Sequence, residues 1–382
     1  MAKKKPSLNP APATVWQARG LHLGPEPEQD LRRNLIALRA AGVLEGFLDL
    51  DPVEAARSTA LHPRDEDAGP GPGARRVFEA RWRVADDVTV RAQLTTYEPE
   101  PRRREAGGGG VPWVLTAEAE RDWQPDWPSP ATMFWPDSER VPWDHETVAG
   151  LRIRTTNPLP KDDDEVRRLL RECARSSWYV HVVVHEAMTP DLRGQQPVTA
   201  YLPPSLRHRV IEHRAAPELA QIADFALRKE LDVRLPRGGA VVLPATPREP
   251  GYDPEAFTVR SVFLDGSEQP ELLSRIVAAT ALPRPFPDEA AQALTRLRKG
   301  WHLLTPDEEL THAQDMVGRY AEALEAMTRS RDLYKEAAEA AQAALTEAGT
   351  AVPGPPVLPA RPDGSPLGAL TKAFGRFRDP NR

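Results

Sequence analysis

The sequence has little cysteine: Cys173 is its single thiol among 382 residues. One thiol cannot form an internal disulfide, and it cannot supply a multi-thiolate zinc site. No apolar run reaches about 18 residues, the length that a membrane-spanning helix needs. The N-terminus MAKKKPSLNP leads into polar, proline-rich sequence and not into the apolar core of a signal peptide. These absences predict a cytoplasmic protein without a transmembrane segment.

Common catalytic motifs are missing as well. There is no GxxxxGK[ST] phosphate-binding loop and no GxSxG nucleophile turn, which leaves nucleotide hydrolysis and serine-hydrolase chemistry unsupported. His185 is followed directly by Glu186, so the HxE spacing of zinc deaminases is absent. The 50 basic and 56 acidic residues give a net charge of −6, which argues against nucleic-acid binding by the body of the protein. The sequence therefore favours a non-enzymatic protein without a cofactor or metal site.

Proline is the residue present in excess, with 41 copies. Most prolines stand near the starts of predicted elements, and the others lie in the two terminal segments. Between them, the hydrophobic patterns predict an α+β fold with two mixed α/β lobes, a long C-terminal helix and flexible tails. The expected segments are a flexible basic, proline-rich arm over 1–25, lobes over 26–150 and 151–300, a long helix over 301–349, a proline-rich linker over 350–366 and an amphipathic basic tail over 367–382.

Local patterns predict individual elements in both lobes. Alternating apolar and polar residues indicate a β-hairpin over 76–97, with its turn at Asp86 and Asp87, and a third strand over 111–116. In the second lobe, the valine-rich stretch 178–186 indicates a central strand. Residues 205–213 and 218–231 have helical spacing, and two further helices are expected over 270–280 and 288–299.

Five of the nine tryptophans fall between residues 113 and 143, interleaved with prolines. Indole rings stacked on prolines can fix an irregular loop onto a sheet, which is a purely structural role. Alternatively, Trp123, Trp127 and Trp135 form an aromatic platform for a ligand. The acidic residues of the same stretch would repel a phosphate backbone.

His181 and His185 have the i, i+4 spacing that places two imidazoles on one metal ion in a helix. The intervening valines favour a strand, however, where residues four apart lie about 13 Å from one another, too far to share an ion. His181, His185 and Glu186 remain weak candidates for a catalytic site, because His208 or His213 could approach them in the fold. Cys173, on the apolar face of its helix, is not expected to be a reactive thiol.

The C-terminal third begins with a helix start at residues 305–308, where threonine caps, proline occupies the first position and glutamate completes a capping box. Apolar residues then alternate at spacings of three and four, interrupted by Arg331, which is coiled-coil periodicity. This pattern predicts self-association or pairing with a partner helix, and packing of the helix on its own body is the alternative. The predicted oligomerisation residues are Leu310, Val317, Tyr320, Leu324, Met327, Tyr334 and Leu345.

The final segment has the pattern of a short amphipathic basic helix. Its apolar residues are Leu367, Leu370, Phe374 and Phe377, and Lys372 and Arg376 lie between them. A segment of this kind behind a proline-rich spacer predicts a tethered docking peptide, with packing on the same chain or contact with a membrane surface as alternatives. In layout, the stretch DGSPLGAL resembles the terminal targeting peptides of encapsulin cargo proteins, over fewer than twenty residues.

Together these features predict a cytoplasmic adaptor or scaffold that binds another protein, or itself, through its C-terminal helix and tail. One alternative is an enzyme or ligand-binding module with its site between the tryptophan-rich loop and the strand at 181–186. A second alternative is a nucleic-acid-associated protein that uses its basic termini.

Overall fold

The computed structural model describes residues 10–57, 71–99, 110–136, 143–144, 151–153, 155–175, 178–186, 196–244, 251–262 and 269–349. These residues form a mixed α+β fold followed by a long C-terminal helix, which confirms the predicted class. The chain separates into two compact units, with the boundary between Leu304 and Thr305. The predicted linker and docking tail lie outside the described residues, and the division of the body into lobes over 26–150 and 151–300 stays a prediction.

The first sheet has six strands in the order β2-β3-β4-β5-β1-β6, and its neighbours are antiparallel. The predicted hairpin and third strand are confirmed as β3, β4 and β5. Two helices, α1 (Pro27–Ala40) and α2 (Pro52–Arg57), lie between the early strands in sequence. The strands are β1 (Val15–His22), β2 (Leu44–Leu50), β3 (Ala74–Val84), β4 (Val88–Tyr97), β5 (Val111–Ala119) and β6 (Trp143–Asp144).

The hairpin turn has the chemistry that its sequence predicts. Asp86 and Asp87 both have a φ of 60°, in the left-handed region that aspartate adopts more readily than most residues. The alternation along β3 sends Phe78, Ala80 and Trp82 into a core shared with α1.

The expectation of a flexible arm over 1–25 is wrong for residues 15–22, which form β1. The prolines on either side of this stretch flank the strand and do not interrupt it. All eight residues of β1 pair with β5, from Val15 opposite Glu118 to His22 opposite Val111. Trp16 and Ala18 are buried in the same core as the hairpin.

The second sheet has five strands in the order β11-β10-β8-β9-β7. The strands β7, β8 and β9 are parallel, whereas β10 is antiparallel to β8 and β11 is antiparallel to β10. The predicted central strand is confirmed as β8, which is buried along its whole length. The strands are β7 (Asn157–Pro158), β8 (Val180–His185), β9 (Val210–Ala215), β10 (Ala240–Val242) and β11 (Thr258–Val259).

Helices cover both faces of this second sheet. One face packs against α4 (Asp163–Arg175) and α5 (Ala220–Leu231), and the other packs against α6 (Pro270–Thr280). Two more helices, α3 (Pro130–Phe134) and α7 (Asp288–Lys299), belong to the same compact unit, and α7 packs against β5. The helices predicted over 218–231, 270–280 and 288–299 are therefore confirmed.

The helix predicted over 205–213 is wrong. Only Pro204–Leu206 form a short 3-10 turn, and Val210–Ala215 form β9. Parallel pairing with β8 along all six residues decides the structure here, because the two-sided burial of a central strand outweighs weak helical spacing.

The second unit contains α8 (Pro306–Gly349), a helix of 44 residues. Its start is the predicted capping box: the Glu308 N–H donates to Thr305 Oγ1 at 3.1 Å, and the Thr305 N–H donates to Glu308 Oε2 at 2.7 Å. Within the described part of the chain, no helix combines the length and the apolar character that crossing a bilayer requires.

Candidate functional site

A buried cluster of one cysteine and two histidines forms where α4 covers the second sheet. His181 of β8 lies opposite Ile211, and Val183 lies opposite His213 of β9. Because residues two apart in a strand share a face, this register places both histidines on the side of the sheet that α4 and α5 cover. The last turns of α4 then add Cys173 from above.

The three side chains converge on one point. The Cys173 Sγ lies 3.7 Å from His213 Nε2, and His181 Nδ1 lies 3.1 Å from the same nitrogen. The two imidazole rings are stacked, with centroids 5.4 Å apart and an interplanar angle of 25°. All three residues are at most 2% exposed.

Burial keeps this cluster uncharged at neutral pH. It raises the pKa of the Cys173 thiol to about 12 and lowers the pKa of His213 to about 4. The pKa of His181 lies well below its usual value, first through burial and then through His213 and the Arg284 guanidinium. A thiolate–imidazolium pair of the cysteine-protease kind is therefore disfavoured.

Of the three candidates His181, His185 and Glu186, His181 belongs to this cluster. His185 is buried on the same strand, four residues beyond His181, and the Glu186 N–H donates to the Ala215 carbonyl. His208 contacts Ser129 Oγ at 2.9 Å. The partners of His181 are 8 and 32 residues away in sequence, so only the parallel register of β8 and β9 could have indicated them.

A cavity of about 560 Å³ lies elsewhere in the first unit. Its lining brings the tryptophan-rich loop, through Trp123 and Pro125, close to Trp178 and Arg209, which precede β8 and β9. The segment between α6 and α7 adds Arg284 to the lining. The cavity therefore combines aromatic and proline walls with two guanidinium groups and one carboxylate, that of Asp122.

Arg209 is the unusual cation of this cavity. Within the described residues its buried Nε has no hydrogen-bond partner. Burial, and next the neighbouring Arg284, lower the pKa of Arg209 to about 10, so the side chain stays charged at pH 7. Arg284 itself donates to the carbonyl oxygens of Ala279 and Tyr179.

The three tryptophans predicted as a ligand platform do not share one surface. Trp123 lines the cavity, and its Nε1 has no partner within the described residues. Trp127 packs edge-on against Trp123, with centroids 5.5 Å apart. Trp135 is fully buried against Trp113 and His22, in the core of the first sheet.

The predicted oligomerisation residues are all exposed along α8. Their exposed fractions run from 58% for Leu310 to 76% for Tyr334. Arg331, which interrupts this apolar row, pairs with Asp332 at 2.8 Å. The predicted docking residues Leu367, Leu370, Lys372, Phe374, Arg376 and Phe377 lie outside the described residues.

Comparisons of the chain with protein-family models, with curated proteins and with solved structures found no match.

Proposed function

We propose that the protein is a non-enzymatic scaffold that self-associates by antiparallel pairing of α8 with the α8 of a second copy. The observation that supports the proposal is the row of large apolar side chains that α8 exposes at heptad spacing, here called the seam. The large apolar members of the seam are Leu310, Val317, Tyr320, Leu324, Met327, Tyr334 and Leu345, each more than half exposed. Arg331, Ala338 and Ala341 occupy further positions of the same row.

Exposure of the seam is energetically costly. Burying one large apolar side chain contributes about 1.5–3 kcal/mol, and heptad spacing keeps such residues on one face of a helix. With 44 residues, α8 is about 66 Å long at 1.5 Å per residue. A helix of similar length and spacing would cover the whole seam, and a second copy provides one.

The distribution of large and small residues favours the antiparallel orientation. Large side chains fill the N-terminal half of the seam, whereas Ala338 and Ala341 occupy the equivalent positions of the C-terminal half. Antiparallel pairing sets Val317 opposite Ala341 and Tyr320 opposite Ala338, so that large residues meet small ones. Parallel pairing would instead set alanine opposite alanine, which leaves voids.

The charged seam residue leads to the same orientation. In a parallel pair Arg331 would face the Arg331 of the other copy across the seam, and like charges in contact are destabilising. In the antiparallel pair it faces Met327. The positions that flank the seam are mostly small and uncharged, which permits close approach of the helices: Ala321, Ala323, Thr328, Ser330, Ala337 and Ala344.

Seam and non-seam alanines provide a matched test. We expect the full-length protein to sediment as a dimer in analytical ultracentrifugation, and Ala341→Asp to convert it to a monomer because a carboxylate would enter the interface. Ala343→Asp, two residues further on the opposite face, should leave the dimer intact. A monomeric wild-type protein, or equal effects of the two variants, would contradict the proposal.

Disulfide cross-linking tests the orientation. A Val317→Cys chain mixed with an Ala341→Cys chain should cross-link under mild oxidation, since these positions face one another only in the antiparallel pair. Leu324→Cys should not cross-link to itself. The reverse pattern would establish parallel pairing.

We assign a role in the same scaffold to the basic tail over 367–382: it is the segment that recruits another protein. Its apolar residues repeat at spacings of three and four, with cationic residues between them. Deleting residues 350–382 should keep the dimer and abolish partner capture in a pull-down, which separates the tail from the seam.

A second candidate function is binding of a small aromatic anion in the cavity. The volume of about 560 Å³ falls in the range of small-molecule sites, about 300–1,000 Å³. Arg209 is half-buried, and its buried Nε lacks a partner within the described residues, which is costly for a cationic group; a carboxylate, sulfonate or phosphate group would supply charge-assisted hydrogen bonds to it. The aromatic walls suit a planar body.

The fluorescent probe 8-anilinonaphthalene-1-sulfonate combines those two chemical features. We expect saturable binding that Arg209→Met weakens by about tenfold or more, since a hydrogen bond to a charged group contributes about 1.5–3 kcal/mol. Arg207→Met, at an exposed position two residues earlier, is the matched control. Equal binding by both variants would refute an anion site at Arg209.

A further inference from the structure

We infer that Cys173, His181 and His213 form a binding site for a divalent transition metal ion of the Zn²⁺ type. The three donor atoms, one thiol sulfur and two imidazole nitrogens, lie within 4.8 Å of one another. They come from α4, β8 and β9, so the site depends on the tertiary fold and not on a local sequence motif.

Two of the three donor–donor distances are close to those of a common metal centre, and the third lies within 4.8 Å. Zinc bonds sulfur at about 2.3 Å and imidazole nitrogen at about 2.0–2.1 Å in tetrahedral sites. These bond lengths and a tetrahedral angle require about 3.6 Å between sulfur and nitrogen, and about 3.4 Å between two nitrogens. The corresponding separations here are 3.7 Å from Cys173 Sγ to His213 Nε2 and 3.1 Å from His181 Nδ1 to His213 Nε2.

The donor set selects a class of metal. A thiolate with two imidazoles suits Zn²⁺, Co²⁺ or copper, whereas Mg²⁺ and Ca²⁺ prefer oxygen ligands. Binding replaces the thiol proton: the Cys173 S–H bond breaks, a sulfur–metal bond forms, and one proton leaves to solvent. Three protein donors leave a fourth coordination position for a water molecule or another small ligand.

The contact between the two histidines has a second explanation, a hydrogen bond from one ring to the other across 3.1 Å. Metal binding instead requires both nitrogens of that contact to be deprotonated, so that each neutral ring carries its proton on its other nitrogen, His181 Nε2 or His213 Nδ1. Neither of these two atoms has a partner within the described residues. A metal titration therefore decides between the ion and the hydrogen bond.

Cobalt titration of the full-length protein, after dialysis against a chelator, tests the inference. We expect one equivalent of Co²⁺ to bind, with a thiolate-to-cobalt charge-transfer band in the near ultraviolet and the visible bands of tetrahedral cobalt. One equivalent of Zn²⁺ should displace the cobalt. Binding without the thiolate band, or no binding at micromolar protein, would overturn the site.

Two variants connect the signal to the cluster. Cys173→Ser should abolish the charge-transfer band and weaken binding by more than about tenfold, the smallest loss typical of residues that only support a metal ligand. His185→Asn, on the same buried strand but outside the cluster, should bind cobalt as the wild type does. An unchanged band in a folded Cys173→Ser protein would place the metal elsewhere and refute the inference.

Discussion

Glu79 of β3 shows how much one buried residue organises in the first unit. Its side chain is fully buried. One oxygen accepts the backbone N–H groups of His302 and Leu303 at 2.8 and 3.0 Å, and the other accepts from Gln93 Nε2 and contacts His302 Nδ1, each at 3.1 Å. This carboxylate therefore fastens the chain after α7 onto the first sheet.

At the residue scale, Glu79→Gln should lower the free energy of unfolding by roughly 2–3 kcal/mol, because an amide cannot accept this set of donors and buried N–H groups lose their partner. Urea unfolding measures the loss. Glu98→Gln, at a position whose carboxylate is 56% exposed, should change stability by less than about 0.5 kcal/mol. Similar losses in the two variants would contradict the role assigned to Glu79.

The same contact predicts a pH dependence. The hydrogen bond to Glu79, which outweighs burial, raises the pKa of His302 above 6.5. A raised pKa in the folded state stabilises fully below the unfolded value and is lost as the pH rises through the folded value. The gap in unfolding free energy between wild type and Glu79→Gln should thus be larger at pH 6 than at pH 8. Histidines with lowered pKa values, such as His213, act in both proteins and cancel.

At the element scale, local sequence predicted the hairpin, β8 and the helices α6, α7 and α8, because turn residues, alternation and caps act within a few positions. It misassigned β1 and β9, whose structure depends on distant partners. Val15 of β1 pairs with Glu118 of β5, and residues 210–215 form the strand β9 because they pair with β8. The cluster of Cys173, His181 and His213 could not be predicted from local sequence for the same reason, because the register of β8 and β9 brings its two histidines together.

Gly239, which immediately precedes β10, tests the close contact between β10 and β11. A Cβ at this position would lie 2.1 Å from the Val259 carbonyl oxygen, so β10 and β11 can approach only without a side chain here. Gly239→Ala should destabilise the protein by about 1–3 kcal/mol in thermal or urea unfolding, as overpacking does.

Gly318 of α8 is the matched control, since a Cβ there meets nothing within 4 Å. Gly318→Ala should stabilise the helix by roughly 0.5–1 kcal/mol through better helix propensity. If both alanine variants shift stability in the same direction, the close approach at Gly239 is not the determining contact.

At the scale of the whole molecule, the proposed scaffold and the two proposed binding sites use different parts of the chain. The seam lies in the second unit, whereas the cavity and the cysteine–histidine cluster lie in the first. Ala341→Asp should therefore abolish dimerisation without changing cobalt binding or probe binding, and Cys173→Ser should leave the dimer intact. A result that contradicts the dimer, the anion site or the metal site therefore leaves the other two proposals unaffected.

The position of β1 has a consequence for how the protein reaches its native state. β1 is synthesised before its partner β5, which begins almost a hundred residues later, at Val111. Pairs of such high sequence separation form late and slowly. Until then β5 presents an unprotected edge, a known route to aggregation. The indole of Trp16, which is buried in the native protein, thus stays exposed to solvent until β1 joins the first sheet.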